Sequence, residues 1–170
     1  VRQAKQSIKI RSMLTILKDI EKRDEKAIVF ATTKAVQAYA SALITSVFGV
    51  PVEIINGDTK AVPSKRDTQT RKVIIDQFQA LPGFGVIVMS PVAAGVGLTV
   101  VAANNVIHLE RHWNPAKEAQ ATDRVYRIGQ TRDVNVYMPM ALHPNAKSFD
   151  QKLNGLLVNK VDLSDAVVAP

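Results

Sequence analysis

The feature that most constrains this chain is a series of short apolar runs, each separated from the next by a segment of helical periodicity. Ala27-Ile28-Val29-Phe30-Ala31 and Val86-Ile87-Val88-Met89 are apolar without interruption over the length of a strand. A strand lacking polar alternation suits a position with both faces covered. Residues 51–55, Asn105-Val106-Ile107-His108-Leu109 and Val134-Asn135-Val136-Tyr137 complete the expected strands. Between them the apolar residues recur at helical spacing. Residues 7–20 carry Ile8, Ile10, Leu14, Leu17 and Ile20 behind a possible cap at Ser7. A second helix, capped by Thr32 or Thr33, carries Val36, Tyr39, Ala40, Leu43 and Val47 and stops at Gly49. A third has Val73, Ile74 and Phe78 on its apolar face. Residues 115–127 are expected to be helical, with Pro115 in the first turn, and 145–160 form a closing helix. Strands alternating with crossover helices predict an α/β fold: a mostly parallel sheet with helices on both faces.

Composition sets the outer bounds. The chain has 170 residues, 46% of them hydrophobic, which suits a single domain with a real core, expected over about 7–160. It contains no cysteine, so disulfides and thiolate metal sites are excluded. His108, His112 and His143 form no ligand cluster in sequence, and no metal site is expected. No apolar run approaches the ~20 residues of a membrane span, and Val1-Arg2-Gln3-Ala4-Lys5 leads into a charged amphipathic stretch without a signal-peptide block. An intracellular location is expected: cytoplasm or nucleoid for a bacterial protein, nucleus for a eukaryotic one. Lys and Arg number 22 against 15 Asp and Glu, a net charge of +7 that invites a polyanion without requiring one.

Four groups of residues could carry chemistry. In Gln120-Ala121-Thr122-Asp123-Arg124-Val125-Tyr126-Arg127-Ile128-Gly129-Gln130, a continuous helix would place 120, 123, 124 and 127 on one face. Two arginines one turn apart suit developing phosphoryl charge, because a guanidinium fork matches phosphate oxygens. The same spacing equally describes a solvated charged face with Asp123 paired to Arg127. Ser90 to Thr99 is rich in small residues after a strand, and Gly95 and Gly97 there would allow either close ligand approach or close helix packing. Trp113-Asn114-Pro115 holds the only tryptophan, either as an anchor packed beneath the loop or as a stacking group. Lys60, Lys65, Arg66, Arg71 and Lys72 form a basic run that is either solvated or placed against a phosphate backbone. No Gly-x-x-x-x-Gly-Lys-Ser/Thr occurs, and the acidic pair Asp24-Glu25 precedes a strand rather than following one. These residues alone do not make a complete phosphate-loop ATPase.

Taken together, the segments from about Ser7 to about Lys160 resemble the second RecA-like lobe of a Swi/Snf-type ATPase, a branch of the superfamily-two helicases. The most specific part is the joined string Trp113-Asn114-Pro115, Gln120, Asp123-Arg124, Arg127-Ile128-Gly129-Gln130 and Thr131-Arg132-Asp133. The variant from His108 to Glu118 is more similar to bacterial members. The resemblance implies a RecA-like three-layer sandwich acting as the C-terminal motor lobe of a double-stranded-DNA translocase that remodels protein–DNA complexes. It implies ATP and Mg2+ held mainly by a first lobe, which would be one partner; double-stranded DNA and a DNA-bound protein would be the others. Arg127 and Arg124 match the catalytic arginines, Arg127 being the better candidate for the finger. Gln120 and Asp123 match residues that order them, and Gly95 and Gly97 match the nucleotide cleft. Thr32, Thr33, Asn56, Gly57 and Arg71 match nucleic-acid contacts, as does Ser90, with Lys65 in the basic loop between them. Departures from the pattern stand at Thr33, Val92, Ala94 and Thr99, and the 60–70 loop is longer than the family norm. Two other functions fit the same residues: a non-catalytic DNA- or protein-binding module, and lobe two of a strand-separating helicase. Asp123-Arg124 stands against the latter, where a Gly-Arg pair is usual. The isolated chain is expected to turn over nothing.

Overall fold

The computed structural model describes residues 7–63, 69–94, 98–123, 125, 129–142 and 144–168. Eleven elements follow in order: α1 (Ile8–Lys22), β1 (Lys26–Phe30), α2 (Lys34–Phe48), β2 (Ile54–Ile55), α3 (Arg71–Ala80), β3 (Gly85–Met89), α4 (Pro91–Ala94), β4 (Asn105–His108), α5 (Pro115–Thr122), β5 (Asn135–Tyr137) and α6 (Phe149–Val168). The strands form one sheet in the order β2-β3-β1-β4-β5, with every pairing parallel. The α/β architecture expected from the alternation is therefore the observed one.

The apolar runs explain the layering. In the central strand, Ile28 pairs in register with Ile87 on one side and Val106 on the other. Successive side chains of a strand point to opposite faces. Ile28 and Phe30 therefore enter one core with Ile74, Ile75 and Phe78 of α3 and Ala121 of α5. Ala27 and Val29 enter the other, with Met13, Leu17 and Ile20 of α1 and Ile44 of α2. All five residues of β1 and of β3 are buried, which is why neither strand shows polar alternation.

Local chemistry sets the helix ends. The Thr70 hydroxyl accepts from the Val73 amide at 3.3 Å to cap α3. Asn114 caps α5 by accepting from the Ala116 amide at 3.0 Å, with Pro115 behind it in the first turn. Gly49 ends α2 in the left-handed region at φ 67°, a conformation that costs glycine nothing.

Several expectations need correction. The strand expected over 51–55 is reduced to Ile54–Ile55, an edge position where only two residues pair with β3. Ile8, Val47 and Val73 are exposed, and α3 buries Ile74, Ile75 and Phe78 instead. Helix α5 stops at Thr122, with Asp123 as its C-cap and Val125 in a turn. No helix therefore runs unbroken from 115 to 127, and the one-face argument for 120, 123, 124 and 127 loses its basis. The closing helix starts at Phe149, four residues later than expected.

Candidate nucleic-acid interface and arginine segment

Ligands of open parallel sheets bind outside the carboxyl ends of the strands. Here that edge carries Thr32 and Thr33 after β1, Asn56 and Gly57 after β2, Ser90 after β3 and Glu110 after β4. Backbone bonds hold the strand ends together: the Ala31 amide reaches Met89 O at 3.1 Å, Ser90 reaches Ile55 O at 2.8 Å and Leu109 reaches Phe30 O at 2.9 Å. Thr32, Ser90, Glu110 and Arg111 line a cavity of about 630 Å3, with Lys9 and Trp113 at its wall.

Thr33 occupies the N-cap position of α2 without capping it. Its hydroxyl instead donates to Glu110 Oε1 at 3.1 Å, and its amide donates to Oε2 at 2.8 Å. Thr32 adds its amide at 2.9 Å and its hydroxyl at 3.1 Å, both to Oε2. One carboxylate thus takes the donors at the start of α2.

Asn56 and Arg71 belong to a neighbouring turn. Asn56 Oδ1 accepts from the Asp58 amide at 2.9 Å, and its Nδ2 donates to Gln37 Oε1 at 2.9 Å. Arg71 Nε donates to Thr59 O at 2.8 Å and Nη2 to Asn56 O at 3.3 Å. The guanidinium braces the turn that presents Gly57. A Cβ added at Gly57 would meet nothing within 4 Å, so this turn is open to an approaching backbone.

Sequence reasoning missed the hub at the end of β4. Arg111 forks onto Glu118, with Nε at 2.9 and 2.8 Å from its two oxygens and Nη2 at 2.7 Å. Both side chains are buried, and Arg111 Nη1 also reaches Asn154 of α6 at 2.8 Å. The available signal was Glu118 itself, a carboxylate on the face of α5 that also carries Ala121. His108 is fully buried, stacked on Phe30, with Nε2 2.9 Å from Thr122 Oγ1. The Thr122 hydroxyl also donates to Glu118 O at 3.3 Å, which favours the tautomer with the proton on Nε2, and Nδ1 has no partner among the described residues. Burial holds this imidazole neutral, its pKa lowered to about 4.

Trp113 is 67% exposed, which removes the reading of an anchor packed beneath the loop. His112 stacks on it, and Lys160 Nζ sits 4.9 Å from the ring centre while donating to Trp113 O at 3.1 Å.

Gln120 and Asp123 are exposed at the end of α5. Arg124, Arg127, Gly95, Gly97 and Lys65 lie outside the described residues, as does His143. The segment holding the arginines is bracketed by described neighbours. Gln130 Nε2 donates to Val101 O at 3.0 Å, Ala103 O at 2.8 Å and Val125 O at 3.5 Å, and Gln130 Oε1 accepts from the Arg132 amide at 3.1 Å. Gly129 has φ 106°, a conformation that β-carbon-bearing residues rarely adopt. Among the described residues no three His, Asp or Glu side chains converge to hold a metal ion.

Residues 8–129 match the helicase conserved C-terminal domain. The chain belongs to that family. More narrowly, it is a Swi2/Snf2-type helicase lobe. The SWI2/SNF2 ATPase core of Sulfolobus solfataricus in complex with dsDNA superposes with a TM-score of 0.69 at 30% identity, over 94% of this lobe and 31% of that chain. The Zorya protein ZorD of Escherichia coli O139:H28 is 45% identical over 152 residues, 89% of the lobe and 14% of that protein. YwqA of Bacillus subtilis is 32% identical over 165 residues, 97% of the lobe and 17% of that protein. The chain thus spans under a fifth of the length of these relatives. Its three-layer parallel sheet is the RecA-like fold of Swi2/Snf2 lobes. Among the described residues no helix is long and apolar enough to cross a membrane.

Proposed function

We propose that this helicase lobe is the C-terminal half of the motor of an ATP-dependent double-stranded-DNA translocase that acts on protein–DNA complexes. The observation that carries the reading is the likeness, in fold and at 30% identity, to an ATPase core solved with dsDNA, in a chain that also holds Asp123-Arg124 and Arg127-Ile128-Gly129-Gln130. ATP and Mg2+ would be held mainly by a first lobe. When bound, they supply the phosphoryl group and the metal charge for its transfer.

This chain's residues do the rest. Arg124 and Arg127 bring fixed positive charge across the cleft to the oxygens where negative charge develops. Gln120 and Asp123 at the end of α5, and Gly95 and Gly97 after β3, line the cleft on this side. Gln130, just after the arginines in the chain, is held to the backbone at Val101 and Ala103. At the sheet edge, Thr32, Thr33, Ser90 and the Asn56–Gly57 turn braced by Arg71 face the duplex backbone, with Lys65 adding charge. Trp113 and Phe149, exposed beside the cavity, offer apolar contact to a sugar or base edge. Opening and closing of the two lobes then moves them along the duplex. The isolated lobe binds nucleotide poorly and turns over nothing.

Steady-state ATPase of the full-length parent, with no DNA, single strands or duplex, tests this directly. Stimulation by duplex is expected. Stimulation by single strands alone would favour a strand-separating helicase, and no turnover in any condition would favour a non-catalytic module. In the same protein Arg127→Ala is expected to lower kcat by ~10³-fold or more, as loss of an arginine finger does elsewhere, with duplex affinity within about twofold. Wild-type turnover in that variant would remove the finger assignment.

A further inference from the structure

We propose that Glu110 is a positioning residue that ties the Thr32–Thr33 turn to the strand end holding α5, so that DNA contact at the turn is felt in ATP turnover. The proposal rests on the reading of the lobe as half of a DNA-stimulated ATPase.

The Glu110 carboxylate receives four hydrogen bonds, all from residues 32 and 33 and all between 2.8 and 3.1 Å. Three converge on Oε2 and one on Oε1. Thr33 does not cap its own helix with its side chain, so the side-chain donors of this turn are held from the end of β4, while Gln37 of α2 holds its backbone at Ala31 O and Thr33 O. The same strand end holds α5 at two points. His108, two residues before Glu110, meets Thr122 in the last turn of α5. Arg111, the next residue, forks onto Glu118 in its first turn. The His112 amide adds a bond to Glu118 Oε2 at 3.2 Å.

Three neighbouring side chains therefore fasten one strand end to the β1–α2 turn and to both ends of a short helix. The strand end is in turn bonded to β1 through Phe30 O. The links from His108 and Arg111 to α5 are buried, so a shift of the exposed turn that moves Glu110 is carried on to the helix. Thr122 is followed directly by Asp123 and Arg124.

The test compares Glu110→Gln and Glu110→Ala in the full-length parent, reading ATPase with and without duplex and duplex affinity separately. A glutamine oxygen can take the three bonds of Oε2, while its amide nitrogen donates to the Thr33 hydroxyl. Glu110→Gln is therefore expected to keep at least about half of the duplex stimulation. Glu110→Ala is expected to lose about tenfold of it, within the range of coupling such networks carry. The DNA-free rate should stay within about twofold in both, which a merely structural role would not produce. Undiminished stimulation in Glu110→Ala overturns the proposal. An equal fall of the DNA-free and DNA-stimulated rates overturns it too, as does tighter duplex binding by both variants, which would make the carboxylate a competitor of phosphate. A wild-type protein that duplex does not stimulate would overturn the functional reading and this proposal together. Normal wild-type stimulation with an unaffected alanine variant removes this proposal alone.

Discussion

At the scale of single residues, His108 is the group whose burial has the clearest measurable consequence. Its imidazole titrates near 6.5 in an unfolded chain and about 4 in the folded one, because burial opposes the charged form. Between those values only the unfolded state takes up the proton. The folded state therefore loses stability as pH falls from about 6.5 to about 4, by up to about 3 kcal/mol, and loses no more from this residue below that. Urea unfolding of the chain across that interval should show the slope, and His108→Gln should flatten it. An unchanged slope in the variant would assign the pH dependence to other groups. Gly129 is a second kind of constrained position, since its φ of 106° excludes a relaxed β-carbon.

At the scale of elements, α5 depends on its buried fork more than on its own length. Eight residues are too few to hold a helix without tertiary contacts. Arg111 and Glu118 have side-chain exposures of 9% and 6%, so each would be a buried, uncompensated charge without the other. Glu118→Ala is expected to cost about 3 to 5 kcal/mol. Lys72–Asp76 on α3 is an ion pair of similar length, but its side chains are 80% and 54% exposed. Lys72→Ala is expected to cost no more than about 0.5 kcal/mol. Thermal melts of both variants check the contrast, and equal losses would refute it. The two pairs differ in sequence: Lys72 and Asp76 stand at i, i+4 within one helix, whereas Arg111 lies outside the helix that carries Glu118. Periodicity reports which residues share a helix face and not which are removed from water.

At the scale of the whole molecule, the exposed aromatic pair at the cavity makes the proposed DNA face observable. Trp113 is the only tryptophan of this lobe, so within the lobe tryptophan fluorescence reports that face alone. Duplex added at low salt to the parent protein with its other tryptophans replaced should change the emission, and the change should fade as salt rises. Emission that duplex leaves unaltered would place Trp113 off the interface. The α/β class, the five strands, most helix faces and the family string from Trp113 to Asp133 were all legible in the sequence, because burial on two faces, helical periodicity and motif spacing are local patterns. The end of α5, the exposure of Trp113 and the reduction of 51–55 to two paired residues were not, because each depends on what packs alongside. Nor was Glu110 legible as the partner of Thr32 and Thr33. Those residues meet only because the sheet runs β2-β3-β1-β4-β5, which sets the end of β4 beside the end of β1. Sequence by itself determined which segments become strands and helices, since that follows from how each segment divides its apolar and polar sides. Tertiary structure alone decided which side chains share a hydrogen bond across 78 residues, since that follows from strand order and register.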